Sequence, residues 1–287
     1  EVSNSKLSVH AGGLSTETSN FIQATKPRVV KLLDPGSGAA SQVKTLSSGT
    51  QVVCRVYLPN QPIGGNVTAA VESWWSTVRG SVESNKACDY VEGYNEVELS
   101  QWYVDFELAR LQFLQTLGIK ASVGNFGVGH PDVTNASAIA MLNPLIDAVI
   151  ASEGVLGLHE YSSPTMSGCV DNSTGLGWLT LRYRRLVSFF PTAPNIVISE
   201  SGIDAVGGQC GGPNLGGWLQ LCPTWQRMGW GDSSTHSYLH TLAWYDQELR
   251  KDQFVLGTTI FQADCPGWDN YDITTLYPDL TTYMNAQ

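Results

Sequence analysis

The sequence predicts an α/β fold: a single (β/α)8 TIM barrel over residues 1–287, with long βα loops. Three observations carry this. Short apolar, β-branched runs alternate with segments of helical period along the whole chain, eight times over. The length, 287 residues with 42% apolar content, suits a barrel that typically needs ~250 residues. The alternative, an open doubly wound sheet, usually announces itself by a Gly-x-Gly-x-x-Gly turn after its first strand, and that turn is missing.

Taken in order, residues 7–11 read as the first strand and 19–25 as a short helix. Residues 28–33 are the second strand, stopped by Asp34-Pro35-Gly36, and 39–46 are helical. The third strand, 52–58, ends at Pro59-Asn60; helix 68–84 follows, with Thr68 as N-cap. Residues 90–94 are the fourth strand. The next helix carries Trp102, Phe106, Ala109, Phe113 and Leu117, one apolar face at helical period, and Gly118 caps it. A fifth strand at 121–126 leads to an apolar helix at 138–151. A sixth at 155–161 leads to helix 179–190, ended by Pro191. The seventh strand, 196–200, precedes helix 235–250, with Tyr238, Leu242, Tyr245 and Leu249 on one face. The eighth strand is 255–262 and the last helix 280–286. The αβ turns are short. Two βα connections are long, 162–178 and 204–232; the second holds eight glycines with Trp218, Trp225 and Trp230. Such loops build the active-site face of a barrel.

Composition narrows the function. With 26 acidic against 16 basic residues and a net charge of −10, the chain lacks the basic stripe that nucleic acid requires. No stretch approaches the roughly 20 apolar residues that span a bilayer. There is no Met at position 1 and no N-terminal apolar run, so the chain reads as mature and soluble; a monomer is expected. Six cysteines form no C-x-x-C pair, which disfavours zinc. Together with sequons at Asn66, Asn135 and Asn172 they point to an extracellular, secreted glycoprotein. Six cysteines allow 15 pairings. The expected set is Cys54–Cys88 between neighbouring strands, Cys210–Cys222 closing one long loop, and Cys169–Cys265 by elimination.

Two glutamates sit where strands stop. Asn95-Glu96 closes the fourth strand region, and Ile196-Val197-Ile198 runs into Ser199-Glu200. In one closed parallel barrel both carboxyl groups lie on the same face, across the mouth from each other. Hydrolysis of a glycosidic bond with retention needs such a pair ~5–5.5 Å apart, one protonated and one ionised. Asn95 is placed to bind the hydroxyl beside the reacting carbon.

This pattern resembles the clan A superfamily of glycoside hydrolases, (β/α)8 retaining enzymes that mostly cleave β-linked sugars. The resemblance implies Glu96 as acid/base and Glu200 as nucleophile. It also implies support for the nucleophile at strand six, where His159 and Tyr161 match in place. A floor for the first sugar subsite after strand eight is matched by Trp268 in Pro266-Gly267-Trp268-Asp269. It covers the whole chain as architecture and about five residues as motif. Val97 stands where Pro is frequent, which leaves the substrate open.

Each assignment has a plainer rival. A single glutamate at a strand end is commonly a solvated loop residue; two of them at strands four and seven, one after Asn, favour catalysis. Glu92 lies deeper and can pair with Arg55 or Lys31; Glu98 can serve a cap. If His159 faces the pocket, Glu160 points away and is structural. His10 can reach the sugar or stay in the core. Arg55 can hold a nucleophile ionised or form an ordinary ion pair. Asn125 can bind a hydroxyl or shape a turn. Among loop tryptophans, Trp178, Trp218, Trp225, Trp230 and Trp268 can stack on sugar rings or be buried.

The leading expectation is a retaining endo-β-glycosidase acting on a polysaccharide or oligosaccharide, such as a cell-wall β-glucan, with no cofactor and no metal. The alternatives are hydrolysis of another exopolysaccharide of mannan, galactan or amino-sugar type, a non-catalytic carbohydrate-binding barrel, and a metal-dependent hydrolase. The last lacks a His/Asp cluster at strand ends, and His236 and His240 fall on an outer helix.

Overall fold

The computed structural model describes all of the chain except residues 206–209 and 212–215. Eight parallel strands close a barrel in the order β1 (Leu7–Ala11), β10 (Val255–Ala263), β9 (Ile196–Ile203), β6 (Val155–Ser162), β5 (Lys120–Phe126), β4 (Tyr90–Glu92), β3 (Gln51–Arg55) and β2 (Val29–Leu33). The small antiparallel pair β7 (Val170–Asp171) and β8 (Leu176–Gly177) decorates the connection after β6. Around the barrel run α1 (Thr16–Thr25), α2 (Ala39–Leu46), α3 (Val67–Ser84), α4 (Gln101–Thr116), α5 (Ala136–Ala140) and α6 (Asn143–Ala151). They continue as α7 (Tyr183–Val187), α8 (Trp218–Arg227), α9 (Ser234–Leu249) and α10 (Tyr277–Asn285). Among the described residues no helix is long and apolar enough to cross a membrane.

The barrel interior is layered. Val29, Val53, Tyr90, Val155 and Val197 form a compact apolar cluster of their own, separate from the large shell between strands and helices. Two residues further along β2 and β4, Lys31 and Glu92 meet inside the barrel as a buried ion pair. One strand breaks its alternation to place a side chain. With Val197 pointing inward, strict alternation would turn Glu200 out. The β6–β9 register instead slips between Leu158↔Ile198 and His159↔Glu200, so Ser199 is the extra residue of a bulge and Glu200 faces the interior.

Several boundaries differ from the sequence reading. The α3 cap is Asn66 rather than Thr68, its side chain accepting from the Ala69 N–H at 2.9 Å. The helix expected over 138–151 is split into α5 and α6, because Pro144 in the first turn of α6 supplies no backbone N–H. The helix expected over 179–190 shrinks to α7, because the preceding backbone serves Glu160. Its carboxylate accepts from Leu181 N (2.9 Å), Tyr183 N (3.3 Å) and the Tyr245 hydroxyl (2.5 Å), and Leu181 sits at φ +56. Glu160 therefore points away from the barrel interior and is structural. The Gly-rich connection before α9 contains α8, which the pattern did not predict; three of its eight glycines, Gly207, Gly208 and Gly212, lie outside the described residues.

The disulfides correct two expected pairs. Cys54–Cys88 is present, but the second bond joins Cys169 to Cys210, and Cys222 and Cys265 are free thiols. Neighbouring strands β6 and β9 bring their two βα loops side by side, so the bond ties loop to loop rather than closing one loop on itself. Cys222 is instead carried on α8, and Cys265 is buried beyond β10.

A buried pair fixes α4, the helix that follows Glu96. Arg110 and Glu107 are both fully buried and bonded twice, at 2.9 Å each. Arg110 also donates to the Val91 and Ser122 carbonyls, and Glu107 accepts from Gly124 N, so the pair stitches α4 to β4 and β5. Gly93 passes so close that a Cβ there would lie 2.4 Å from Arg110 Nε. Arg110→Met is expected to cost about 3–5 kcal/mol by leaving Glu107 uncompensated, and Arg110→Met/Glu107→Leu much less. Urea unfolding midpoints of the two variants check this.

Candidate active site

Glu200 lies on β9 and is 8% exposed. Its Oε1 receives Lys31 Nζ at 3.1 Å from β2 and Arg55 Nη1 at 3.2 Å from β3. Its Oε2 accepts from the Tyr161 hydroxyl at 3.0 Å, with His159 Nδ1 at 3.6 Å, both on β6. Burial opposes its charge, but His159, Lys31 and Arg55 outweigh that and hold the carboxyl well below the usual range. Burial and the neighbouring carboxylate push the Tyr161 phenol well above its ordinary value, so it stays a donor. His10 is fully buried with Nδ1 3.9 Å from Glu200 Oε1; burial, with Lys31 beside it, keeps it well below its ordinary value and neutral. It backs Glu200 from behind, packed edge-on against Phe261, rather than reaching a sugar.

Glu96 stands beyond the end of β4 in a different environment, its side chain 45% exposed. Its backbone is left-handed, φ +56, a conformation that a non-glycine residue holds only when its surroundings enforce it. Three contacts do so. Glu96 N donates to the Asn125 carbonyl at 2.9 Å. The Gln61 amide clamps the preceding residue, accepting from Asn95 N and donating to Asn95 O at 2.9 Å. Gly127 leaves room behind: a Cβ there would sit 3.3 Å from three atoms of the Glu96 side chain. His159 Nδ1 meets Glu96 Oε1 at 2.8 Å, so one imidazole lies between the two carboxyl groups.

One carboxyl oxygen of each glutamate and a ring nitrogen of His159 fall within 4.8 Å of one another. They open on a cleft of 340 Å³ walled by Tyr57, Asn95, Asp204, Phe261, Trp268 and Tyr271 among others. A larger hollow of 550 Å³ is lined by the carboxylates Glu17, Asp264, Asp269 and Asp272, but neither Glu96 nor Glu200 reaches it and no lysine, arginine or histidine lines it. Asn95 Oδ1 is buried without a hydrogen-bond partner and lines the cleft, as an acceptor awaiting a hydroxyl would. Trp268 is half exposed, held edge-on to Phe261 and Tyr271 at 5.3 and 5.7 Å. Gln262 fixes that turn by accepting from Cys265 N and donating to Trp268 O. Two carboxylates and an imidazole are also donors a metal could use. Lys31 and Arg55 already bring two positive charges onto Glu200, which disfavours a dication there.

Two expected substrate contacts are corrected. Trp218 is fully buried, its Nε1 donating to the Asp272 carbonyl and its ring stacked on Tyr238, so it is core and not a platform. Trp225 is buried likewise. Asn125 is fully buried at φ +43, and its side chain turns back onto Ser122; its carbonyl positions Glu96 instead. Arg55 pairs with Glu200 and is one of the charges that hold it ionised, and Glu92 pairs with Lys31. Glu98 is exposed, and the α4 cap is Ser100. Gln61 and Gln262 were not singled out by sequence; a glutamine clamping backbone leaves no pattern.

No protein-family model matches the sequence, and no curated protein matches it. Solved structures do share its fold. The chain is similar to a GH128 subgroup I endo-β-1,3-glucanase from Amycolatopsis mediterranei in complex with laminaritriose, at TM-score 0.51 and 15% identity over 96% of this chain and 99% of that one. It is similar to a GH128 subgroup II endo-β-1,3-glucanase from Sorangium cellulosum, at TM-score 0.51 and 15% identity over 93% and 91%. It is also similar to a β-1,3-glucanase and allergen of Cryptomeria japonica pollen, at TM-score 0.53 and 12% identity over 93% and 95%. At these identities the likeness is one of fold.

Proposed function

We propose that this protein is a retaining endo-β-glycosidase of the clan A type, acting on a β-glucan with Glu96 as acid/base and Glu200 as nucleophile. The observation that carries the reading is the pair of glutamate oxygens within 4.8 Å of each other in the lining of one cleft. Inverting enzymes hold their carboxyl groups ~6.5–9.5 Å apart to admit a water between them, retaining ones ~5–5.5 Å. The environments differ: Glu200 is buried and kept ionised by two cations, whereas Glu96 is half exposed at the cleft wall.

The chemistry follows from those positions. Glu96 gives its proton to the glycosidic oxygen as Glu200 attacks the anomeric carbon, forming a glycosyl ester and expelling the leaving sugar. Glu96, now ionised, takes a proton from water as the water attacks the ester, and the second displacement restores the starting anomer. Asn95 binds the hydroxyl beside the reacting carbon. Trp268 presents a ring to the sugar in the first subsite, and exposed Tyr57 lengthens the cleft. The activity named for the three similar structures makes β-1,3-glucan the first substrate to try.

NMR of the fresh reaction on laminarin tests the reading: the newly formed reducing end is expected first as the β anomer, with activity unchanged by EDTA. Initial α anomer overturns retention, strong loss to EDTA overturns the metal-free chemistry, and binding without cleavage across a panel of β-glycans makes the barrel a carbohydrate-binding protein. The proposal extends to a secreted, monomeric glycoprotein. Asn66, Asn135 and Asn172 are all exposed, and Asn66 and Asn135 cap helices through their carbonyl oxygens, which leaves their amide nitrogens free of the cap.

A further inference from the structure

Beneath the cleft, the barrel holds a second carboxylate that the mechanism above does not use. Lys31 Nζ lies 3.1 Å from Glu200 Oε1 and 3.0 Å from Glu92 Oε2, and its side chain is fully buried. Its hydrogen bond goes to Glu200; neither oxygen of Glu92 has a hydrogen-bond partner, although the side chain is 1% exposed. Burying a carboxylate with so little solvation is costly unless it is paired, and Lys31 is the cation that pairs with it. The Lys31 ammonium is thus shared: one hydrogen-bonded contact to the reacting glutamate and one bare Coulombic contact to a glutamate below it.

We propose that Lys31 and Glu92 are positioning residues for Glu200, Lys31 fixing the charge and aim of its carboxylate and Glu92 limiting how strongly Lys31 binds it. The proposal rests on Glu200 being the nucleophile. A nucleophile must stay ionised, yet a carboxylate gripped too tightly by cations attacks poorly. Glu92 divides the ammonium's attraction, and it keeps Lys31 compensated when Glu200 becomes a neutral ester. The remaining groups around Glu200 do not duplicate this. His10 from β1 is neutral, Tyr161 from β6 stays protonated, and the Cys265 thiol beyond β10 is pushed up to about 11, by burial first, and is neutral. Arg55 from β3 and His159 from β6 act directly on Glu200, Glu96 faces it across the cleft, and Asp204 lies at the rim. His159 shares itself with Glu96 in the cleft, whereas Lys31 shares itself with a carboxylate buried beneath it.

The test is a carbon-13 NMR titration of the Glu200 carboxyl in glutamate-labelled protein, assigned by its loss in Glu200→Gln, beside the pH profile of kcat/KM. Lys31→Met is expected to raise the Glu200 titration and the acid limb of the profile by about one pH unit, a tenfold loss of rate on that limb. Glu92→Gln is expected to move both the other way and to lower kcat several-fold at neutral pH. Because Lys31→Met strands Glu92, the double variant Lys31→Met/Glu92→Leu serves as the folded control, and its limb is expected to stay above wild type. A purely structural pair would move both single variants alike or move neither. Either result, or an unchanged titration in the double variant, overturns the proposal. The titration needs no turnover, so failure of wild type to cleave any β-glycan would overturn the proposed function and not this electrostatic result.

Discussion

Glu200→Gln is expected to lower kcat/KM on the polysaccharide by at least about a thousandfold, some 4 kcal/mol of transition-state stabilisation, while the protein stays folded. The amide keeps the shape of the carboxyl group but cannot attack the anomeric carbon. The structure limits the collateral damage. Lys31 retains Glu92 and His159 retains Glu96 as partners when the charge on Glu200 is lost, which leaves Arg55 and the Tyr161 hydroxyl with a weaker acceptor. Circular dichroism melts of the variant and wild type are therefore expected to lie close together. A second variant turns the loss into a mechanistic signature. Glu200→Gly opens a space below the anomeric carbon that an azide ion can enter from the side the carboxylate occupied. Azide is expected to restore part of the activity and to yield a glycosyl azide of inverted configuration. Near-normal activity in Glu200→Gln, or no azide product from Glu200→Gly, removes Glu200 from the nucleophile's role.

That Glu200 faces inward at all was not legible from its neighbours in sequence. The run Ile196-Val197-Ile198 marks a strand and Glu200 its end, and both were visible because apolar runs and strand-ending residues are local features. Whether the side chain points in or out depends on one inserted residue at Ser199, and bulges are set by pairing with β6 and β10, which lie far off in the chain. Glu96 was placed by the same local logic, but the left-handed backbone that aims it depends on Asn125, Gln61 and Gly127 from other segments. The opposition of His159 and Glu160 could be read directly, because strand alternation holds through β6. The disulfide partner of Cys169 could not, because it depends on which loops the barrel order sets side by side. Nor could the burial of Trp218: a Gly-rich loop with three tryptophans reads as exposed aromatic rings, and only the helix formed within it shows that Trp218 and Trp225 turn inward against Tyr238.

Glu96 is expected to produce a different kind of defect. General acid catalysis typically contributes 10²–10⁴-fold, so Glu96→Gln should lower turnover of the natural polymer by about that factor. An aryl glycoside with an acidic phenol as leaving group needs no proton to depart. Its first displacement should proceed in the variant nearly as in wild type, because Glu200 and its cations are untouched. The second displacement then stalls, since the base that activates water is gone. The expected observation is a burst of phenol equal to the enzyme present, followed by slow turnover, with the glycosyl-enzyme visible by mass spectrometry. The pH profile should change with it. An alkaline limb that reports the general acid is expected in wild type and should disappear in Glu96→Gln. Equal losses on polymer and activated glycoside, or an alkaline limb that survives, would assign the acid to another group. The close approach of the two carboxyl groups makes the burst the decisive result. An inverting site admits a water between its carboxylates and forms no ester to trap, so a glycosyl-enzyme caught in the burst would separate the two mechanisms directly.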